Sequence, residues 1–246
     1  MRYFLELSYD GTCYHGWQIQ DNAVSVQQVL NEALSKILRA EVSTVGSGRT
    51  DTGVHALVQV VHFEFDESLP ENLPARLNSL LPKDMAVASC VQVTHEAHAR
   101  FDATSRSYVY KIHQAKNPFL DGQSYLYTPK LDLDKMNDCS RLILDWIDFE
   151  CFSKVHTDVR TFDCTISEAR WEKKNDQIFF YVSANRFLRG MVRAMVGTLL
   201  LAGERKLSLS EFKNILESKD RKKAGRSVPA CGLYLSEVKY PKEIYL

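Results

Sequence analysis

The 246-residue sequence predicts an α/β chain of the α+β kind: two similar βαβ-βαβ domains with mostly antiparallel sheets and helices on one face. Three observations carry this expectation. Strand and helix periods follow one another in the same order in both halves. The helical segments that begin at Val26 and at Leu188 each carry an apolar core stripe. The regular alternation of strand, helix and short crossover that builds a doubly wound parallel sheet is missing.

Taken in order, residues 3–9 alternate as a strand. The stretch VSVQQVLNEALSKIL then puts Val26, Val29, Leu30, Ala33, Leu34, Ile37 and Leu38 on one helical face. Ser25 with Gln28 has the form of a capping box and sets that helix's start. Strand patterns follow near 42–47 and over 55–65 (HALVQVVHFEF), then a short helix between Pro70 and Pro82 and a strand over 85–93. The second half repeats the order. SYVYKIH (107–113) is a strand and LDKMNDCSRLILDWI a helix; TFDCTISEARWEK and QIFFYVS are a strand pair, FLRGMVRAMVGTLLLAG is a helix, 209–218 a short extra helix, and GLYLSEVKY the last strand.

Within the helix predicted over 188–202, Leu188, Met191, Val192, Met195, Val196, Leu199 and Leu200 form the core stripe. Gly190, Ala194 and Gly197 form a second stripe of small residues, which lets another stretch of backbone come close. Arg189 and Arg193, four residues apart, flank the apolar stripe, where arginines are usually paired with an acid. The division falls at 1–103 and 104–246 without a Gly or Pro linker, and a substrate cleft is expected between the halves.

Composition removes several function classes. Hydrophobic residues make up 45% and charged ones 25%, and no apolar run has the roughly 18 residues of a membrane span. The start, MRYFLELSYDG, reads as a strand and not as a signal peptide, so a cytoplasmic protein is expected. Six cysteines lie far apart without a C-x-x-C pair, as reduced thiols would. HEAH at 95–98 is one residue short of a helical zinc motif, and neither metal nor cofactor is expected. Thirty-one basic and 31 acidic residues cancel, yet KDRKKAGR (219–226) sets five basic residues against one acid, and Arg186, Arg189 and Arg193 add to them.

The acid that stands out is Asp51 in SGRTDTGVHA (47–56). Asp and Gly here suit a turn between strands. DTG is also the tripeptide of aspartic peptidases, but those need a second carboxylate sharing one proton in an apolar setting; this chain has no second DTG or DSG, and Arg49 precedes the acid. A third reading takes Asp51 as an ionised nucleophile or base, favoured by a nearby guanidinium and able to attack a sugar carbon or an activated ring without a cofactor. Arginines in HARFDATSRSY, Tyr108 and Tyr110 on one strand face, and the basic runs would suit an RNA substrate.

Five blocks, YDGTCYHGWQIQ (9–20), GRTDTGVHA (48–56), HARFDATSRSYVY (98–110), NRFLRGMVRAMVG (185–197) and CGLYL (231–235), resemble in order those of the tRNA pseudouridine synthase A family. The resemblance implies a homodimer that isomerises uridine to pseudouridine in the anticodon stem-loop of tRNA, at nucleotides 38 to 40, without a cofactor. By the same resemblance Asp51 is the catalytic aspartate, Arg193 its ion-pair partner and Tyr108 the aromatic that stacks on the target base. Arg49 contacts the RNA where the base has left, and Leu233 lines the uracil site. His98, Arg100, Phe101, Lys116, and the stretch from His156 to Arg160 are its further substrate-binding candidates. Thr52 departs from the pattern, standing where the family usually has alanine.

Overall fold

A computed structural model describes residues 1–154 and 159–246. In chain order the elements are β1 (Arg2–Tyr9), α1 (Val26–Leu38), β2 (Val45–Gly46), β3 (His55–Glu64), α2 (Leu73–Leu80), β4 (Met85–Val93), β5 (Ser105–His113), β6 (Tyr125–Leu126), α3 (Leu133–Leu144), β7 (Ile166–Lys174), β8 (Gln177–Ala184), α4 (Met191–Gly203), α5 (Leu209–Ser218) and β9 (Leu233–Lys239), with short 3-10 turns between some of them. They form two compact units, Met1–Ser105 with Tyr234–Leu246, and Arg106–Leu233. The last strand, which the sequence groups with residues 104–246, therefore lies almost wholly in the first unit.

In the first unit the strands run in the order β4-β1-β3-β9, with β2 also on β3. All pairings are antiparallel except β3 with β9, where His55 faces Tyr234 and Ala56 faces Leu235. Alternation decides the two faces. Leu5 and Leu7 of β1 and Val61 and Phe63 of β3 are buried on one of them. Helix α2 packs on β4 and against α1, whose Val26, Leu30 and Leu34 are fully buried. Phe4 points the other way, into a cluster with Val60, Val93, Ala97 and Ala99. The Tyr240 ring meets Phe4 edge-on at 4.9 Å, and its hydroxyl donates to Ala99 O at 2.6 Å. Non-helical chain from 94–104 and the C-terminal segment thus covers what the helices leave open.

The second unit has the antiparallel order β5-β8-β7, with β6 parallel to β5. Helix α3 packs on β7 and beside α4, and α5 packs on both helices. Helix α4 is buried nearly all round, as expected of a helix apolar on most faces. Ser208 and Glu211 form a full capping box at the start of α5, each satisfying the other's backbone N–H.

Three expectations change in detail. Helix α4 starts at Met191, because Gly190 takes φ 72° as its N-cap; Leu188 and Arg189 precede the helix, so Arg189 shares no helical face with Arg193. Only half of the Ser25 capping box forms: Ser25 Oγ accepts from Gln28 N–H, while the Gln28 side chain donates to Glu32 instead. The strand near 42–47 shrinks to Val45–Gly46.

Candidate active site

Asp51 sits on the loop between β2 and β3, half-buried, between exposed Arg49 and Thr52. The loop is anchored at both ends. On the upstream side Ser47 N–H donates to Val60 O (2.8 Å), and Ser47 Oγ and Gly48 O are both taken by the Gln59 amide, at 2.5 and 3.0 Å. Gln59 is 0% exposed, and this buried amide in the middle of β3 spends its donor and its acceptor on the loop. On the downstream side Val54 N–H donates to Asp51 O (3.1 Å), closing a turn, and Gly53 N–H donates to Tyr14 O (3.3 Å).

The segment after β1 wraps the same loop. Asp10 caps a 3-10 turn by accepting from Thr12 N–H, and Gly11 N–H donates to Nδ1 of buried His55, whose ring stacks on Tyr234 at 4.5 Å. Trp17 N–H donates to Thr50 O at 3.1 Å. Gly16 is needed for two reasons: its φ is +87°, and a Cβ there would stand 2.5 Å from Thr50 O. The hydroxyls of Tyr9 and Thr50 share a 2.8 Å hydrogen bond. The blocks YDGTCYHGWQIQ and GRTDTGVHA thus form one packed piece.

His98, Arg100 and Phe101 lie together in a tight turn of the first unit. His98 Nδ1 accepts from Arg100 N–H (3.1 Å) and Phe101 N–H (3.3 Å), and His98 N–H donates to Asp102 (2.7 Å). The turn presents a Phe101 ring that is 73% exposed, with the Arg100 guanidinium 5.6 Å over it, an arrangement suited to stacking on a base. Beneath it His62 accepts from Ala99 N–H (3.1 Å). Burial first, then the nearby His98 and Arg2, pushes the His62 pKa down to about 4. His98 is lowered as well, chiefly by burial.

In the second unit Tyr108 lies on β5 opposite Val182, its ring edge-on to Phe187 at 5.1 Å. Arg193, half-buried on α4, donates from Nε to Val228 O (2.7 Å), while Val228 N–H donates to Arg193 O (3.2 Å). The 224–228 segment lies along the small-residue stripe of α4: Gly225 N–H donates to Thr198 Oγ1 (2.8 Å), and a Cβ on Gly197 would stand 1.9 Å from Arg226 O. Further on, Tyr110 Oη donates to Pro229 O (2.8 Å), and Gly232 packs on the Tyr110 ring just before buried Leu233. One strap therefore orders both Arg193 and Leu233. Lys116 and Arg160 are exposed, and His156 lies outside the described residues. Within 219–226, Lys219 pairs with Asp148 (2.6 Å) and Arg221 donates to Gly225 O (3.0 Å), so two of the five basic residues hold structure.

Sequence reasoning missed the residues that hold the Asp51 loop, among them Tyr9, Thr50, His55 and Gln59. The one available signal was Gln59, a lone amide flanked on both sides by valines. Among the described residues, no group of three or more His, Cys, Asp or Glu side chains is placed to hold a metal ion.

Comparison with known proteins gives this arrangement its context. The profile of the family described as tRNA pseudouridine synthase matches residues 7–102 and 147–241, which include Asp51, Arg193 and Leu233 but not Tyr108 or Lys116. The tRNA pseudouridine synthase A of Parabacteroides distasonis is 48% identical over 246 residues, covering 99% of this chain and 98% of that protein. That of Porphyromonas gingivalis is 48% identical over 250 residues, covering 100% and 99%. A tRNA pseudouridine synthase A 2 of Clostridium perfringens is 39% identical over 239 residues, covering 96% and 98%. A profile match in both halves, and likeness running the whole length of these relatives, mean that the chain belongs to the tRNA pseudouridine synthase family.

Proposed function

We propose that this protein isomerises uridine to pseudouridine in the anticodon stem-loop of tRNA, at nucleotides 38, 39 and 40, with Asp51 as the catalytic group. The observation that carries the reading is the setting of Asp51: a half-buried carboxylate on a loop anchored at both ends, in a chain that matches its relatives along nearly its whole length. A fixed carboxylate suits a reaction whose geometry must be held while the substrate changes. The bond from uracil N1 to the ribose breaks, the base turns, and C5 bonds to the same sugar carbon. C5 then loses its proton to water, and N1, which had carried the sugar, takes one up, so the product is an isomer of the substrate.

The remaining roles follow from that sequence of events. A uridine inside a helical stem has to leave its stack first, at a cost of a few kcal/mol. Tyr108 is assigned the stacking contact, of about 1–3 kcal/mol, that holds the freed base, with Leu233 as its apolar neighbour. Arg193 is the proposed charge partner of Asp51, and Arg49 the group at the vacated base position. The exposed Arg100–Phe101 pair, His98, Lys116, His156 and Arg160 are proposed RNA contacts, which makes binding weaken as salt rises. A homodimer working in the cytoplasm completes the reading.

The test uses tRNA carrying tritium at uridine C5. Wild-type protein releases the label to water, and Asp51→Asn, still folded by circular dichroism, does not. Equal release by both would remove Asp51 from the chemistry, and no release by the wild type would end the proposal.

A further inference from the structure

We propose that Tyr9 is a positioning residue for this reaction, acting through Thr50 to hold the Asp51 carboxylate in its working orientation; the proposal rests on the reading of Asp51 given above. Tyr9 ends β1 and is 4% exposed; Thr50 is 7% exposed, 41 residues away in sequence and peptide-bonded to Asp51. Their hydroxyls meet at 2.8 Å, where water does not compete for the bond.

The bond restrains more than one side chain. Threonine is β-branched and stiff at χ1, so fixing its hydroxyl fixes the direction of its Cα–Cβ bond and hence the local backbone. The Thr50 carbonyl is held independently by Trp17 N–H at 3.1 Å. Thr50 is thus pinned through both its side chain and its main chain. Downstream, the turn from Asp51 O to Val54 N–H supplies the second fixed point, leaving the carboxylate little backbone freedom between them. The Tyr9 ring is already placed by packing beside Trp17, at 6.4 Å between centroids. Phenylalanine would keep that packing, so the hydroxyl's contribution is directional and separable.

Misplacing a reacting group by about 1 Å costs on the order of 100-fold in rate, whereas RNA binding over many phosphates barely senses such a shift. The experiment measures tritium release by the full-length protein under saturating and limiting tRNA, well below the unfolding temperature of every variant. Tyr9→Phe is expected to lower kcat by about 10- to 100-fold with KM within about 2-fold, the signature of an interaction that serves the transition state. Thr50→Val should do the same, and the double variant should be no worse than the poorer single one, because both remove one bond. Thr50→Ser should restore most of the rate lost in Thr50→Val; this arm carries the test if Tyr9→Phe does not fold.

An unchanged kcat in Tyr9→Phe, a loss confined to KM, or losses that multiply in the double variant would overturn the proposal. Asp51→Asn run alongside separates the two claims. If it still releases label, the role of Asp51 and the role of Tyr9 fall together. If it is inactive while Tyr9→Phe turns over at the wild-type rate, only the positioning role falls.

Discussion

Replacing Gly197 with alanine sets two effects of opposite sign against each other. Glycine inside a helix costs about 1 kcal/mol relative to alanine, so helix propensity alone makes Gly197→Ala stabilising. The surroundings say otherwise. A Cβ at this position would lie 1.9 Å from Arg226 O and 3.1 Å from its carbonyl carbon, so the 224–228 segment would have to retreat by roughly 1.5 Å to reach ordinary contact. That segment is tied down by Gly225 N–H to Thr198 Oγ1 at 2.8 Å and by the paired bonds between Arg193 and Val228 at 2.7 and 3.2 Å. Retreat breaks at least one of them, at about 1–3 kcal/mol for the buried group left over, and overpacking strain adds about 1–3 kcal/mol. After the propensity gain the variant is expected to be less stable by about 3 kcal/mol. Equilibrium urea unfolding followed by tryptophan fluorescence reads this directly, since Trp146 and Trp171 both lie in the affected unit. A midpoint at or above that of the wild type would show that the strap yields freely and that the reasoning from close approach is wrong.

Two further predictions concern the first unit. His62 is held neutral in the folded protein, with its pKa pushed from the ordinary 6.5 down to about 4, so the unfolded chain binds more protons between those values. Its contribution, up to about 3 kcal/mol, is complete above pH 6.5 and is lost as the pH falls towards 4; His62→Gln should flatten the dependence of the melting temperature on pH in that window, and parallel curves would contradict the account. Gln59→Leu leaves Ser47 Oγ and Gly48 O without their side-chain partner, so a loss of about 2–4 kcal/mol is expected, with faster tryptic cleavage after exposed Arg49; unchanged cleavage would mean that the loop is held by its backbone bonds alone.

Much of the architecture could be read from periodicity because burial and period agree. The run MAVASCVQV (85–93) coincides with β4, and the short helix expected over 209–218 coincides with α5. Of the expected stripe of Gly190, Ala194 and Gly197, the close backbone approach is found at Gly197, while Gly190 precedes the helix; nothing local says which segment arrives, and Arg226 does so from 29 positions downstream of Gly197. Boundaries slipped where a single residue's backbone geometry decides, as at Gly190, whose positive φ delays α4 until Met191. Asp51 was legible because an isolated acid between small residues, two positions from an arginine, is chemically conspicuous. The residues that hold it were not, since Tyr9, His55 and Gln59 sit at inward positions of strands where a pattern-based reading sees only core. Their polar atoms acquire meaning only when distant stretches meet, the end of β1 with the Asp51 loop for Tyr9 and the turn after β1 with β3 for His55, or when the loop before β3 folds back on it for Gln59.

The parallel pairing of β3 with β9 has a bearing on how the chain is made. The second unit is contiguous, Arg106–Leu233, and its segments are all available once that stretch has left the ribosome. The first unit draws on Met1–Ser105 yet waits for Tyr234–Leu246, because Tyr234 stacks on His55 and Tyr240 closes the sheet face around Phe4. During translation the nascent amino-terminal half therefore carries an unclosed strand edge beside the Asp51 loop, and loop-closure entropy across the whole later half stands against its completion. The two stretches that build the first unit are separated in sequence by the whole of the second, so its sheet is complete only when both are present.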